Sequence, residues 1–193
     1  MSIALSQPIN TLSLEEFLSL PETKPANEYM DGQILQKPMP QGKHSKLQIG
    51  FASQINQRAE AARIAYAFTE LRCTFGERSI VPDIAVFTWE RIPLDSDGEI
   101  MDRITIVPDW IIEILSPNQS TFEIIDKISF AIKHGTKLGW LIAPKEKKVL
   151  VFQGDRLPET RVGTMPLPIL DGFTDWHLTV TDLFSLLTFA PKK

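Results

Sequence analysis

Apolar residues recur along this chain at changing periods, and each change of period marks an element. In Thr11–Leu20 the residues Leu14, Phe17 and Leu18 fall at helical spacing. Ser13 is placed to cap that helix, Glu15 and Glu16 suit the positive end of its dipole, and Pro21 and Pro25 stop it. Asp31-Gly32 is a hairpin signal between Glu28–Met30 and Gln33–Gln36, which predicts two short strands. A longer helix is expected from about His44 to Arg63, with Leu47, Phe51, Ile55 and Ala62 on one face. Residues Ile64 to Phe75 alternate enough for one strand, and Ile84–Thr88 reads as another. Leu94–Asp102 is a loop, with Asp-Ser-Asp-Gly marking its turn. Trp110–Leu115 has no solvent face and reads as a central strand buried on both sides. Ser116-Pro117-Asn118 breaks it, and a helix follows to about Lys133 with Ile124, Ile125, Ile128, Ala131 and Ile132 inside. Leu138–Ile142 and Val149–Phe152 form a pair of strands around a charged turn, and Thr179–Leu187 closes as a short helix. This order predicts a mixed sheet flanked by helices, in the α/β or α+β class.

Composition narrows the picture. The 193 residues suit one domain, expected to span 1–193 with residues 1–25 as a helical extension. With 43% hydrophobic and 23% charged residues, the chain is neither a disordered tail nor a fibrous rod. A formal net charge of −4 argues against a bulk electrostatic grip on nucleic acid, so any such contact needs a local basic patch or a bridging metal ion. The single cysteine, Cys73, excludes an internal disulfide and fits a reducing cytoplasm. No stretch approaches the roughly 20 apolar residues of a membrane span. Met1–Ser19 lacks a basic stretch followed by a long apolar core, so no secretory signal and no membrane partner are expected. Gly-rich phosphate loops, HExxH and GxSxG are missing from the sequence.

Candidate chemistry centres on Glu113, one carboxylate within Trp110–Leu115. Burying it costs several kcal/mol unless it is paired, coordinated or protonated. A Glu that points out at an edge, or pairs with an internal Arg, fits the same letters. Asp83 follows Pro82 at the mouth of the next-preceding strand; alone it reads as a turn residue. Together the two offer hard oxygen ligands on adjacent strands, which is what Mg²⁺ or Mn²⁺ needs. Lys127, on the helix after Glu113, can orient water or neutralise charge, although its place at the edge of the apolar face also suits a solvated lysine. Glu28 beside the hairpin turn reads equally as an exposed residue. His44 and Gln48 continue the stripe of Leu47 and Phe51, pointing them at a polar pocket. His134 and His177 have no evident partner.

Five segments then resemble the Uma2 family, a branch of the PD-(D/E)xK nuclease superfamily. They are Glu28-Tyr-Met-Asp-Gly32, His44 opening its helix, Val81–Val86, Pro108–Pro117 and His134–Ile142. The resemblance implies a restriction-endonuclease-like fold and Mg²⁺-dependent (or Mn²⁺-dependent) hydrolysis of DNA phosphodiesters. It implies Asp83 and Glu113 as metal ligands, with the Ile114 carbonyl and Glu28 as further ones. The superfamily lysine belongs two residues after the acid, where this chain has Leu115, so Lys127 on the following helix takes that role. Cutting both strands of a duplex suggests a homodimer. The other reading is a catalytically silent protein that keeps the fold as a binding or scaffold module. A basic rim from Lys43, Lys46, Arg72 and Lys127 would separate the two.

Overall fold

The computed structural model describes residues 12–117 and 119–189. Thr11 and Asn118, named above, lie outside them. A mixed six-stranded sheet has the order β10-β9-β8-β7-β6-β3. Its strands are β3 (Ala65–Thr69), β6 (Ile84–Thr88), β7 (Trp110–Ile114), β8 (Leu138–Ala143), β9 (Lys148–Phe152) and β10 (Glu159–Val162). Only β7 and β8 run parallel, joined through α3 (Thr121–Lys133). A smaller antiparallel sheet is formed by β1 (Asn27–Met30), β2 (Gln33–Gln36), β4 (Cys73–Phe75) and β5 (Arg78–Ile80).

The pleat sorts the core into two layers. Trp110, Ile112 and Ile114 join Leu47, Phe51 and Ile55 of α2 (Gly42–Ala59), where Phe51 stacks on Trp140 at 5.3 Å. Ile111 belongs to the other layer with Ile124, Ile128 and Ala131 of α3 and with Met30 and Ile80 of the small sheet. Glu113, two residues beyond Ile111, faces that second layer. The remaining α-helices are short: α1 (Leu14–Ser19) and α4 (Val180–Ser185), each begun by a capping box from Ser13 or Thr179.

The hairpin stands where Asp31-Gly32 put it, with both residues at positive φ (52° and 83°). Three expectations need correction. The long helix ends at Ala59, not Arg63: Arg63 turns left-handed, the Ile64 N–H returns to the Ala59 carbonyl, and Ala62 is exposed. The single strand Ile64–Phe75 is two strands in two sheets, separated where Glu70 takes a left-handed φ of 53°. Strands β5 and β10 were not expected. Neither shows a long alternating run, since each is only three or four residues.

Helix α3 rests closely on the sheet at Gly139, where a Cβ would lie 2.4 Å from the Ile128 side chain. Gly139→Ala is expected to destabilise the fold by about 1–3 kcal/mol, the usual cost of overpacking, as read from urea denaturation.

Candidate metal centre

The β6–β7 ladder pairs Ile84 with Ile112, so one step further Asp83 stands opposite Glu113. The Ile114 N–H donates to Asp83 Oδ2 at 2.7 Å and fixes that carboxylate beside the end of β7. Both acids are buried. Adjacent strands thus bring together the two residues singled out in the sequence.

Lys127 is not a solvated edge residue. Ile124, Lys127, Ile128 and Ala131 repeat at i, i+3, i+4 and i+7, which centres the lysine on the buried face of α3 at 1% exposure. Its Nζ donates to Glu28 Oε1 at 2.8 Å and lies 3.1 Å from Glu113 Oε1. Glu28 is likewise buried; it sits on β1, not on a first helix, and also accepts the Val81 N–H at 2.6 Å. Glu113 therefore has an internal lysine, rather than an arginine, as its counterion.

His44 and Gln48 do point into a polar pocket. The His44 Nδ1 lies 3.0 Å from Ser116 Oγ, and its Nε2 lies 3.3 Å from Asp83 Oδ1. The Gln48 amide donates to the Asp83 carbonyl and to Glu70 Oε1. Two members of this site were missed. Lys37 donates to Asp83 Oδ1 at 2.7 Å, and Glu70 accepts from Lys37 at 3.0 and 3.1 Å. Both lie in connecting segments, where no periodicity assigns a side chain a direction. His134, also unassigned, packs its ring on Phe130 and Phe75. Asp109, in the matched Pro108–Pro117 block, is structural. It accepts from the Thr88 N–H and pairs with Arg91 and Lys137.

Among the described residues, His44, Glu70 and Asp83 offer ligand atoms within 4.8 Å of one another. Two further observations fit a divalent cation. Glu113 Oε1 and His44 Nε2 are buried and make no regular hydrogen bond, their nearest partners being Lys127 Nζ at 3.1 Å and Asp83 Oδ1 at 3.3 Å. Four carboxylates (Glu28, Glu70, Asp83, Glu113) face only two ammonium groups (Lys37, Lys127), leaving an excess of two negative charges when all are ionised. Oxygen-rich and anionic, the cluster suits a hard metal ion.

Comparison with known proteins identifies the family. Residues 14–181 match the Uma2 family, described as "Putative restriction endonuclease". The chain belongs to the Uma2 family. It also resembles the crystal structure of "a putative nuclease belonging to DUF820" from Anabaena variabilis ATCC 29413. Identity is 50%, covering 91% of this chain and 99% of that one, with a TM-score of 0.89. No curated protein matches. This Uma2 protein thus has the restriction-endonuclease-like arrangement of a mixed sheet flanked by helices. No helix among the described residues is long and apolar enough to cross a membrane.

Charge burial sets the protonation of the cluster. Burial pushes the Glu113 carboxyl up to about 8, helped by Asp83 and Glu28 and opposed by Lys127. Burial also acts against the Asp83 charge, but Lys37 and His44 outweigh it and hold that carboxyl well below the usual range. Lys127 resists burial through Glu113 and Glu28 and stays protonated.

The Glu113 shift has a definite sign. The folded state keeps a proton that the unfolded state loses above pH 4.5, so this group erodes stability as pH rises from 4.5 to about 8. In EDTA, Glu113→Gln, which mimics the protonated acid, should melt with wild type at pH 5 and above it at pH 8. A variant melting well below wild type at both pH values would show that the charged Lys127 pair dominates instead.

Proposed function

We propose that this Uma2 protein is a metal-dependent endonuclease that hydrolyses DNA phosphodiester bonds. The observation that carries this reading is the buried excess of carboxylate at Asp83, just before β6, and Glu113, opposite it on the adjacent β7. Such a cluster is costly to stability, and costly charge clusters mark functional sites. Asp83 and Glu113 would hold the ion, with the Ile114 carbonyl and Glu28 as candidate further ligands. Bound there, Mg²⁺ or Mn²⁺ supplies Lewis acidity to the attacking water and the scissile phosphate.

The protein's own groups do the positioning. Lys127 holds Glu28 and Glu113 in one orientation from α3. The Ile114 N–H and the Lys37 ammonium fix the two oxygens of Asp83. Lys127 also offsets negative charge that grows at the phosphate. Two clefts reach the cluster. One, of about 460 Å³, is lined by Lys37, His44, Glu70 and Asp83; the other, of about 400 Å³, by Glu28, Lys37 and Lys127.

The expected basic rim is mixed. Lys127 is buried, and Arg72 is engaged by Glu22 and the Asn27 carbonyl. Lys43 is exposed, and Lys46 lies over the Phe189 ring. DNA would therefore be held chiefly through the metal, not by a positive surface. The second reading, a silent member of the fold, draws on the same lysines: each metal-ligating acid already has an internal cation.

A plasmid-nicking assay decides between the two. Wild type with Mg²⁺ or Mn²⁺ is expected to nick and EDTA to stop it, while Asp83→Ala loses about 100-fold or more in rate, the scale of losing one charge-stabilising group. No nicking with either ion, or equal nicking by Asp83→Ala, would sink the nuclease reading. Paired cuts on a duplex are simplest with two symmetric sites, so sedimentation at micromolar concentration should give twice the chain mass. A clean monomer would refute the homodimer.

A further inference from the structure

The turn between β8 and β9 gathers positive charge in a chain whose net charge is −4. It reads Pro144-Lys-Glu-Lys147, and Lys145 and Lys147 are both exposed. Lys43, exposed at the start of α2, lies beside it. Burial lowers the pKa of the Lys147 ammonium, and the charge of Lys43 lowers it further. None of the three lysines forms an ion pair among the described residues, and Glu146, the acid of the same turn, pairs with none of them. Lys147 also holds a left-handed φ of 52°, where a glycine would sit without strain. Like charges kept together without a counterion, one of them on a strained backbone, are costly to the free protein.

These lysines border a third cleft. About 550 Å³ in volume, it is lined by Lys43, His44, Ser116, Gln119 and Lys145. His44 also lines the cleft that holds Asp83, and Gln119 lines both clefts already described. The third cleft thus adjoins the metal centre on the flank where His44 faces Asp83.

We propose that Lys43, Lys145 and Lys147 form a strip that binds the phosphate backbone of DNA next to the scissile phosphodiester. The proposal rests on the nuclease reading of the Asp83–Glu113 centre, and it says where the substrate strand runs: from the metal, past His44, into the third cleft. A phosphodiester chain repeats its charge along its length, so a strand with one phosphate at the metal carries others out to the turn. Lysines suit such contacts, because a compact charge on a flexible stem fixes the position of a strand without reading its bases. Three charges add to the hold through the metal rather than replace it.

Binding of a fluorescein-labelled DNA duplex, read by anisotropy in EDTA over a range of salt, tests the strip without using cleavage. Each of Lys43→Ala, Lys145→Ala and Lys147→Gly is expected to weaken binding about fivefold at low salt, on every duplex sequence. Each should also reduce the slope of log affinity against log salt by about 0.9. Lys147→Gly separates binding from stability: glycine suits the left-handed position, so this variant should melt no lower than wild type while binding DNA more weakly. Lys133→Ala, at the other end of α3 from Gln119, should change neither affinity nor slope. In the nicking assay the strip variants should raise KM and leave kcat unchanged, as loss of uniform binding does. Sodium phosphate and sodium chloride at equal ionic strength should release the duplex equally; stronger release by phosphate would make the lysines a small-anion pocket and overturn the strip. Wild type that binds no duplex in EDTA at low salt, full affinity in the triple variant, or an equal loss in Lys133→Ala would also overturn it and leave the metal centre untouched. Lysine-dependent binding without nicking under Mg²⁺ or Mn²⁺ would keep the strip as a DNA-binding surface and sink the nuclease reading instead.

Discussion

Burial of Glu113 is the constraint on which the rest of the site depends. A carboxylate in the middle of a central strand has no water to solvate it, and it stands opposite a second buried carboxylate, Asp83. Neither cost is removed by the sheet itself, whose other side chains on β7 are apolar. The protein meets the cost from outside the strand pair. Lys127 approaches from α3 and Lys37 from the segment after β2, while the Ile114 N–H satisfies one Asp83 oxygen. Removing either lysine would leave an uncompensated buried acid, a loss usually larger than the net worth of the pair.

This compensation is incomplete, and the shortfall is informative. Two lysines face four acids, and Glu113 retains its proton to a high pH because neutralising it by protonation costs less than keeping it charged. A fold selected for stability alone would place an aliphatic residue at 113, as it does at 111, 112 and 114. The surplus charge and two adjoining clefts instead form a centre suited to a divalent ion. In that setting the lysines have a double use: they stabilise the metal-free cluster, and they stand close to where a phosphate would be held.

The members of the centre come from seven parts of the chain. Glu28 is on β1, Lys37 after β2, His44 and Gln48 on α2, Glu70 after β3, Asp83 before β6, Glu113 on β7 and Lys127 on α3. The small sheet is therefore not an accessory: it delivers Glu28 and Lys37 to a site that the large sheet only half builds. The pleat also separates duties within β7. Trp110, Ile112 and Ile114 anchor the α2 layer, while Glu113 faces α3.

How far the sequence alone reached follows from what local pattern can encode. Periodicity identified β7, β6, α3 and the hairpin, because burial repeats every two or every 3.6 residues and is written directly into residue type. It also singled out Glu113, since a lone acid in an apolar strand contradicts its surroundings, and Asp83 gained weight only beside it. It failed where burial depends on contacts far away in the chain. Lys127 looks like a surface lysine until Glu28, 99 residues earlier, supplies its partner, and Glu28 looks exposed until the Val81 N–H and Lys127 enclose it. The break at Glu70, which sends β3 and β4 into separate sheets, follows from one left-handed residue in an otherwise alternating run. Residue order alone thus determined the longer elements and the one anomalous carboxylate, Glu113. Tertiary structure decided which cations meet them, because charge pairing is set by distance in space and not by spacing along the chain.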